Sequence, residues 1–187
     1  MELFKDKIKE MLLQNECSGD TDLIYKFSDA DGLRTGRSGY SYGISQFDIE
    51  NNWDAILTLM DCGFRPKDLK RLYLQQGDIS DLNNILEASA DYIDEADNRH
   101  INDMIKHCDI YNEIEGAALA MIIDYHNQLR FDIGGRLYCY IQDVHKFGGD
   151  ITPAIIHWFK LNHTKWGQDR KDDVERRYKN TLVVFCG

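Results

Sequence analysis

The run Ile114–Leu129, "IEGAALAMIIDYHNQL", constrains the fold more than any other stretch of the chain. Its apolar residues do not keep to one face: from Ala117 to Ile123 they go all the way round. A helix of that kind has to sit inside a shell of other helices. The rest of the sequence supplies the shell. "NNWDAILTLMDCGF" reads as a helix closed by Gly63, and Pro66 opens the next in its first turn. Ser80 or Asp81 starts another. Ile101, Met104, Ile105 and Cys108 then fall at i, i+3, i+4 and i+7, an amphipathic face. "GGRLYCYIQDV" follows the central run, Thr152 with Pro153 caps "AIIHWFKLN", and "QDRKDDVERRYKNTLVVF" completes the helical part.

The N-terminal quarter has a different character. Leu3, Ile8, Met11 and Leu12 give "MELFKDKIKEMLLQNE" a helical stripe that stops near Asn15. Over residues 22–47 the apolar residues become β-type: Ile24, Tyr25 and Phe27, then Tyr40, Tyr42, Ile44 and Phe47, punctuated by glycines at 32, 36, 39 and 43. The expectation is a small antiparallel sheet or hairpin with irregular turns. The fold class is therefore α+β, mainly α. A single domain over residues 1–187 is expected, with a β region at about 22–47 and a helical lobe at about 50–187 around the buried central helix.

Charge narrows the partners. The net charge of −10 argues against a protein that lives on phosphate backbones or anionic membranes, so neither nucleic acid nor a membrane anchor is expected. No apolar run approaches the roughly 20 residues needed to span a bilayer. The first helix is charged throughout and lacks the unbroken apolar core of a signal peptide, which points to synthesis in the cytoplasm. The five cysteines are scattered without a C-x-x-C and read as reduced thiols.

Most motif chemistry is excluded. Asp29-x-Asp31 starts like a calcium loop, but the fifth, sixth and twelfth positions hold Leu33, Arg34 and Tyr40. There is no phosphate-binding glycine loop, no H-E-x-x-H and no G-x-S-x-G. His100 and His107 lack a carboxylate to complete a metal site, and Cys17 has no evident histidine partner. No metal or cofactor is expected. What survives is a pair of acids. Cleaving a glycosidic bond needs one carboxylic acid to protonate the leaving oxygen and a second carboxylate on the other face of the sugar. Glu16, at the end of a helix with apolar neighbours, suits the first role. An aspartate in the polar, glycine-rich turn of "IYKFSDADGLRTG" suits the second.

Glu16, that turn and the following "SGYSYGISQ" together resemble the active-site signature of the lysozyme-like superfamily, especially phage-type lysozymes (endolysins). In that family a helix ends in the catalytic glutamate, and a hairpin motif of the form I-Y-K-D-x-x-G-x-x-T carries the catalytic aspartate and threonine. Glu16 matches the glutamate, and "IYK" stands at Ile24–Lys26. Registering on Gly32 puts Asp29 on the aspartate and Thr35 on the threonine. The chain departs from the pattern in the inserted Phe27-Ser28 and the longer interval between Glu16 and Asp29. "GYSYGISQ", Gly39–Gln46, is similar instead to the hairpin of lytic transglycosylases and goose-type lysozymes, where a G-x-x-G-x-x-Q pattern lines the cleft. Asp31 thus competes with Asp29 as the second acid, and hydrolysis and transglycosylation both stay open. The similarity covers residues 16–46.

The resemblance implies a lysozyme-like fold and a peptidoglycan-degrading, bacteriolytic muramidase. It would be a phage endolysin released by a holin, or an effector delivered by secretion machinery, acting on the cell wall as a monomer. Glu16 would be the general acid, Asp29 the second carboxylate, and Thr35 the holder of a nucleophilic water. Tyr25, Tyr40 and Tyr42 would stack on sugar rings beside Asp31, Ser45 and Gln46 would bond N-acetyl groups, and Asn127 and Gln128 would face the same cleft. A chitosanase or chitinase of the same superfamily is the enzymatic rival. A non-catalytic glycan-binding or virion structural module is the rival from another class.

Overall fold

The computed structural model describes residues 2–29, 39–75, 77–111 and 113–187. It is an α+β fold with a small two-stranded hairpin towards the N-terminus and a mostly helical body. The chain divides into two compact units, Met1–Asn15 with Ile101–Gly187, and Glu16–His100. Among the described residues no helix is long and apolar enough to cross a membrane.

In the first unit the central helix is where the sequence puts it. α1 (Glu2–Glu16) gives this unit all but its last residue, and α5 (Ala90–Cys108) its second half. α6 (Gly116–Leu129) is buried without a break from Ala117 to Tyr125. α7 (Arg136–Lys146) follows it, then α8 (Pro153–His163), α9 (Lys165–Asp169) and α10 (Lys171–Cys186), with α6 packed against α8 and α10. The Thr152 hydroxyl accepts the Ile155 N–H at 3.3 Å and Pro153 takes the first turn, which fixes where α8 begins. On α5, Ile101, Met104 and Cys108 are buried as their spacing requires.

One charge interrupts the apolar run of α6. Asp124 is fully buried, and its carboxylate is met from three sides. Lys160 of α8 donates its Nζ to Oδ2, Arg177 of α10 its Nη1 to Oδ1 at 3.0 Å, and Asn15 of α1 its Nδ2 to Oδ1 at 2.9 Å. The Trp166 ring lies 5.0 Å from the Lys160 ammonium and 5.3 Å from the Arg177 guanidinium. Its indole N–H donates to Asp173 at 3.1 Å, and Asp173 also accepts Arg177 Nε at 3.2 Å. Desolvating such ions costs several kcal/mol each, and only a network this fully bonded offsets it. The network ties four helices to one point.

The second unit holds a 3₁₀ turn (Thr21–Leu23), β1 (Ser41–Tyr42), β2 (Phe47–Asp48), α2 (Trp53–Asp61), α3 (Pro66–Tyr73), α4 (Ser80–Ala88) and the first half of α5. The strands run antiparallel with Ser41 opposite Asp48 and Tyr42 opposite Phe47. Among the described residues of the 22–47 segment, the only further ladder contact is a bridge between Ser28 and Ser41. Among the described residues the β region is smaller than its residue types suggest, because helix side chains take hydrogen bonds that a further strand would have taken. Asn83 of α4 accepts the Phe27 N–H at 2.9 Å, and Asp97 of α5 accepts that of Ile44 at 2.9 Å. The β-type residues serve as core instead. Phe27 meets Tyr42 and Phe64 edge-on, each with ring centroids 5.8 Å apart, and Leu59, Leu72 and Leu82 of the same unit are fully buried. Burying a ring of this size stabilises by about 1.5–3 kcal/mol.

Candidate functional site

α1 ends in Glu16, which is half-buried. The last carbonyls of a helix have no partner inside it. Here Arg176 supplies them, donating to Gln14 O at 3.1 Å and Asn15 O at 2.9 Å. Asn180 donates to the Asn15 side-chain oxygen at 3.0 Å, and the Asn15 amide reaches Asp124. A cation at a helix C-terminus also opposes the negative end of the dipole. The turn that ends in Glu16 is therefore pinned to the buried ion network.

Cys17 comes next and is buried. Burial, with the Glu16 and Asp97 carboxylates adding to it, pushes the Cys17 thiol up to about 11. At neutral pH it stays a thiol, which removes it as a nucleophile. Burial likewise pushes Cys108 up to about 12, whereas Cys139 and Cys186 are exposed. A disulfide-exchange reagent at pH 8 should label Cys139 and Cys186 within minutes, and Cys17 and Cys108 only after denaturant is added. Rapid labelling of native Cys17 would contradict this placement.

The Cys17 sulfur is approached by Gln46, whose Nε2 lies 3.8 Å from Sγ and donates to Gly43 O at 3.0 Å. The other end of the same amide accepts the Ser28 hydroxyl at 2.5 Å. Ser28 is locked in place by reciprocal 2.8 Å bonds with the Ser41 backbone, and the next residue is Asp29, exposed. One side-chain amide thus spans from the neighbour of Glu16 to the neighbour of Asp29. Gln46 itself has φ of +52°, and the spacing Gly39, Gly43, Gln46 is one residue longer between the glycines than G-x-x-G-x-x-Q.

The remaining candidates separate. Asp31 and Thr35 lie outside the described residues. Tyr42 is fully buried, its hydroxyl donating to Ala55 O at 2.6 Å, so its ring has no free face for a sugar. Tyr40 is half-buried against Phe27. Tyr25 is half-exposed and donates its hydroxyl to Asp94 at 2.8 Å; burial and the Asp94 carboxylate push it up to about 12. Ser45 is buried, and among the described residues its hydroxyl has no hydrogen-bond partner. It is not presented at the surface as a contact for an N-acetyl group would be. Asn127, half-buried, and Gln128, exposed, stand in the last turn of α6, in the other unit. No group of three or more His, Cys, Asp or Glu among the described residues is arranged to hold a metal ion.

Asn83, Asp94, Asp97 and Arg176, which bond this region, belong to no motif in the sequence. Asp97 leaves a trace in the sequence. It stands four residues after Ile93 and four before Ile101, an acid on the core stripe of α5. The chain matches no protein-family model, no curated protein and no solved structure.

Proposed function

We propose that this chain is a lysozyme-like glycoside hydrolase, a muramidase that hydrolyses the β-1,4 bond between N-acetylmuramic acid and N-acetylglucosamine in peptidoglycan. The observation that carries the reading is the span of the Gln46 amide from Cys17, next to Glu16, to Ser28, next to Asp29. Supporting it are the anchored helix end that presents Glu16 and the exposure of Asp29. Glu16 protonates the leaving oxygen as general acid. Asp29 is the second carboxylate, stabilising the oxocarbenium-like charge or directing water, with Thr35 as the holder of that water. Gln46 lines the cleft between them, and Tyr40 and Tyr25 offer their exposed edges to the sugar. Tyr42 takes no substrate contact. A holin or a secretion system would deliver it to the wall.

Loss of turbidity of permeabilised Gram-negative cells is the direct test. Clearing within minutes supports the reading. Protein that sediments with cell walls without dissolving them is a glycan-binding module instead. Within the pair of aspartates, Asp29→Asn is expected to cost about 10²-fold or more in activity on dye-labelled peptidoglycan, the scale of losing a catalytic carboxylate. Asp31→Asn should cost under tenfold, because Asp29 alone keeps the Asp-x-x-Gly-x-x-Thr register. The reverse order would transfer the role to Asp31.

A further inference from the structure

We infer that Asp97 is the positioning residue of this site, fixing the Gly43–Gln46 turn and, through it, the Gln46 amide. The inference rests on the reading of Gln46 as a cleft residue, but its structural half can be tested alone. Asp97 is fully buried on α5. A carboxylate there costs several kcal/mol unless it is well bonded. Two consecutive backbone groups bond it: it accepts the Ile44 N–H on Oδ2 at 2.9 Å and the Ser45 N–H on Oδ1 at 3.4 Å.

The turn is shaped around that carboxylate. Gly43 has φ of +76°, and a Cβ there would lie 3.0 Å from Asp97 Oδ1 and 3.1 Å from Oδ2. Glycine is what lets the acid in. Three residues on, Gln46 holds the left-handed conformation without being glycine or asparagine. Such a residue is strained by about 1–3 kcal/mol and persists only where its surroundings over-determine it. Two bonds close the turn from within: the Gln46 N–H donates to Gly43 O at 3.2 Å, and its side-chain Nε2 to the same oxygen at 3.0 Å. Asp97 holds it from outside. Without the two N–H bonds to Asp97, Gln46 relaxes to negative φ, and its amide leaves Ser28 and Cys17.

The test is Asp97→Asn, which keeps the shape but offers one acceptor oxygen where there were two. By NMR, the wild-type Gln46 side-chain amide should give a dispersed, slowly exchanging pair of protons. In Asp97→Asn it should move to the solvent-exposed position and exchange at least about tenfold faster. An unchanged Gln46 amide would overturn the inference. The kinetic arm uses soluble peptidoglycan fragments. Gln46→Ala and Asp97→Asn should each raise KM about tenfold, and the double variant should stay within about twofold of either, because residues acting as one unit are non-additive. Multiplying effects, or a loss of melting temperature with KM unchanged, would make Asp97 a purely structural residue. Should Asp97→Asn fail to fold, Asp97→Ser takes both measurements, since it removes the carboxylate without touching the backbone of the turn. Inactive wild-type protein would defeat the muramidase reading, and the amide measurement would still decide the role of Asp97.

Discussion

Asp124→Asn is expected to destabilise the protein by about 3–5 kcal/mol, the cost of breaking a buried ion pair from one side. The substitution changes almost no volume. It leaves the buried Lys160 ammonium and the nearby Arg177 guanidinium, both against Trp166, without the anion that holds them together. It also weakens the contact with Asn15 and so loosens the end of α1. In a chain of this size that corresponds to a fall of roughly 10 °C or more in melting temperature. Lys160→Met should cost less, since Arg177 and Asn15 still bond the carboxylate and one buried charge disappears. The pH dependence has a definite sign. Burial alone would raise the Asp124 carboxyl, but Lys160 and Arg177 outweigh it and hold it below the usual carboxylate range. A depressed carboxylate contributes in full above the unfolded value of about 3.9 and loses its contribution as pH falls through the lower folded value. The gap in urea midpoint between wild type and Asp124→Asn should be wide at pH 7 and close below about pH 4. A gap independent of pH would mean that Asp124 is not the charged centre of the network.

Glu16→Gln is expected to abolish wall cleavage, by about 10³-fold or more, while leaving the fold intact. Glutamine keeps the volume and a hydrogen-bonding end but cannot supply the proton that the leaving oxygen needs. The residue is only half-buried at a helix terminus, where an exchange that keeps size and polarity costs the fold little. Unchanged circular dichroism and melting temperature with lost activity is the expected combination. Full turnover by Glu16→Gln would remove it as the acid.

The helical body could be read directly from the chain because its signals are local. An all-apolar stretch has one solution, a surrounded helix, and Thr152-Pro153, Pro66 and Gly63 mark helix ends through their own backbone chemistry. The β segment could not be read to the same depth. Ile24, Tyr25 and Phe27 have the residue types of a strand, yet the Phe27 N–H goes to Asn83, 56 residues away. A propensity describes the chain's own preference and carries no information about a distant acceptor. The same limit applies to the site. Glu16 and Gln46 stand out in the sequence as candidates, by position and by motif. Asp97, 53 residues from the Ile44 N–H it bonds, shows only as an acid on an apolar stripe. Tyr42 misled because alternation along a short hairpin cannot say which face turns inward, and the core claimed that ring.

We propose that this chain cleaves glycan strands with Glu16 as the acid. Digestion of purified peptidoglycan sacculi, followed by separation and mass analysis of the soluble products, tests it most directly. Wild-type protein should release fragments ending in reducing N-acetylmuramic acid, and Glu16→Gln at equal concentration should release none. Fragments ending in the 1,6-anhydro sugar would replace hydrolysis by transglycosylation on the same residues. No soluble product from folded wild-type protein, or equal release by Glu16→Gln, would rule out glycan cleavage with Glu16 as the acid.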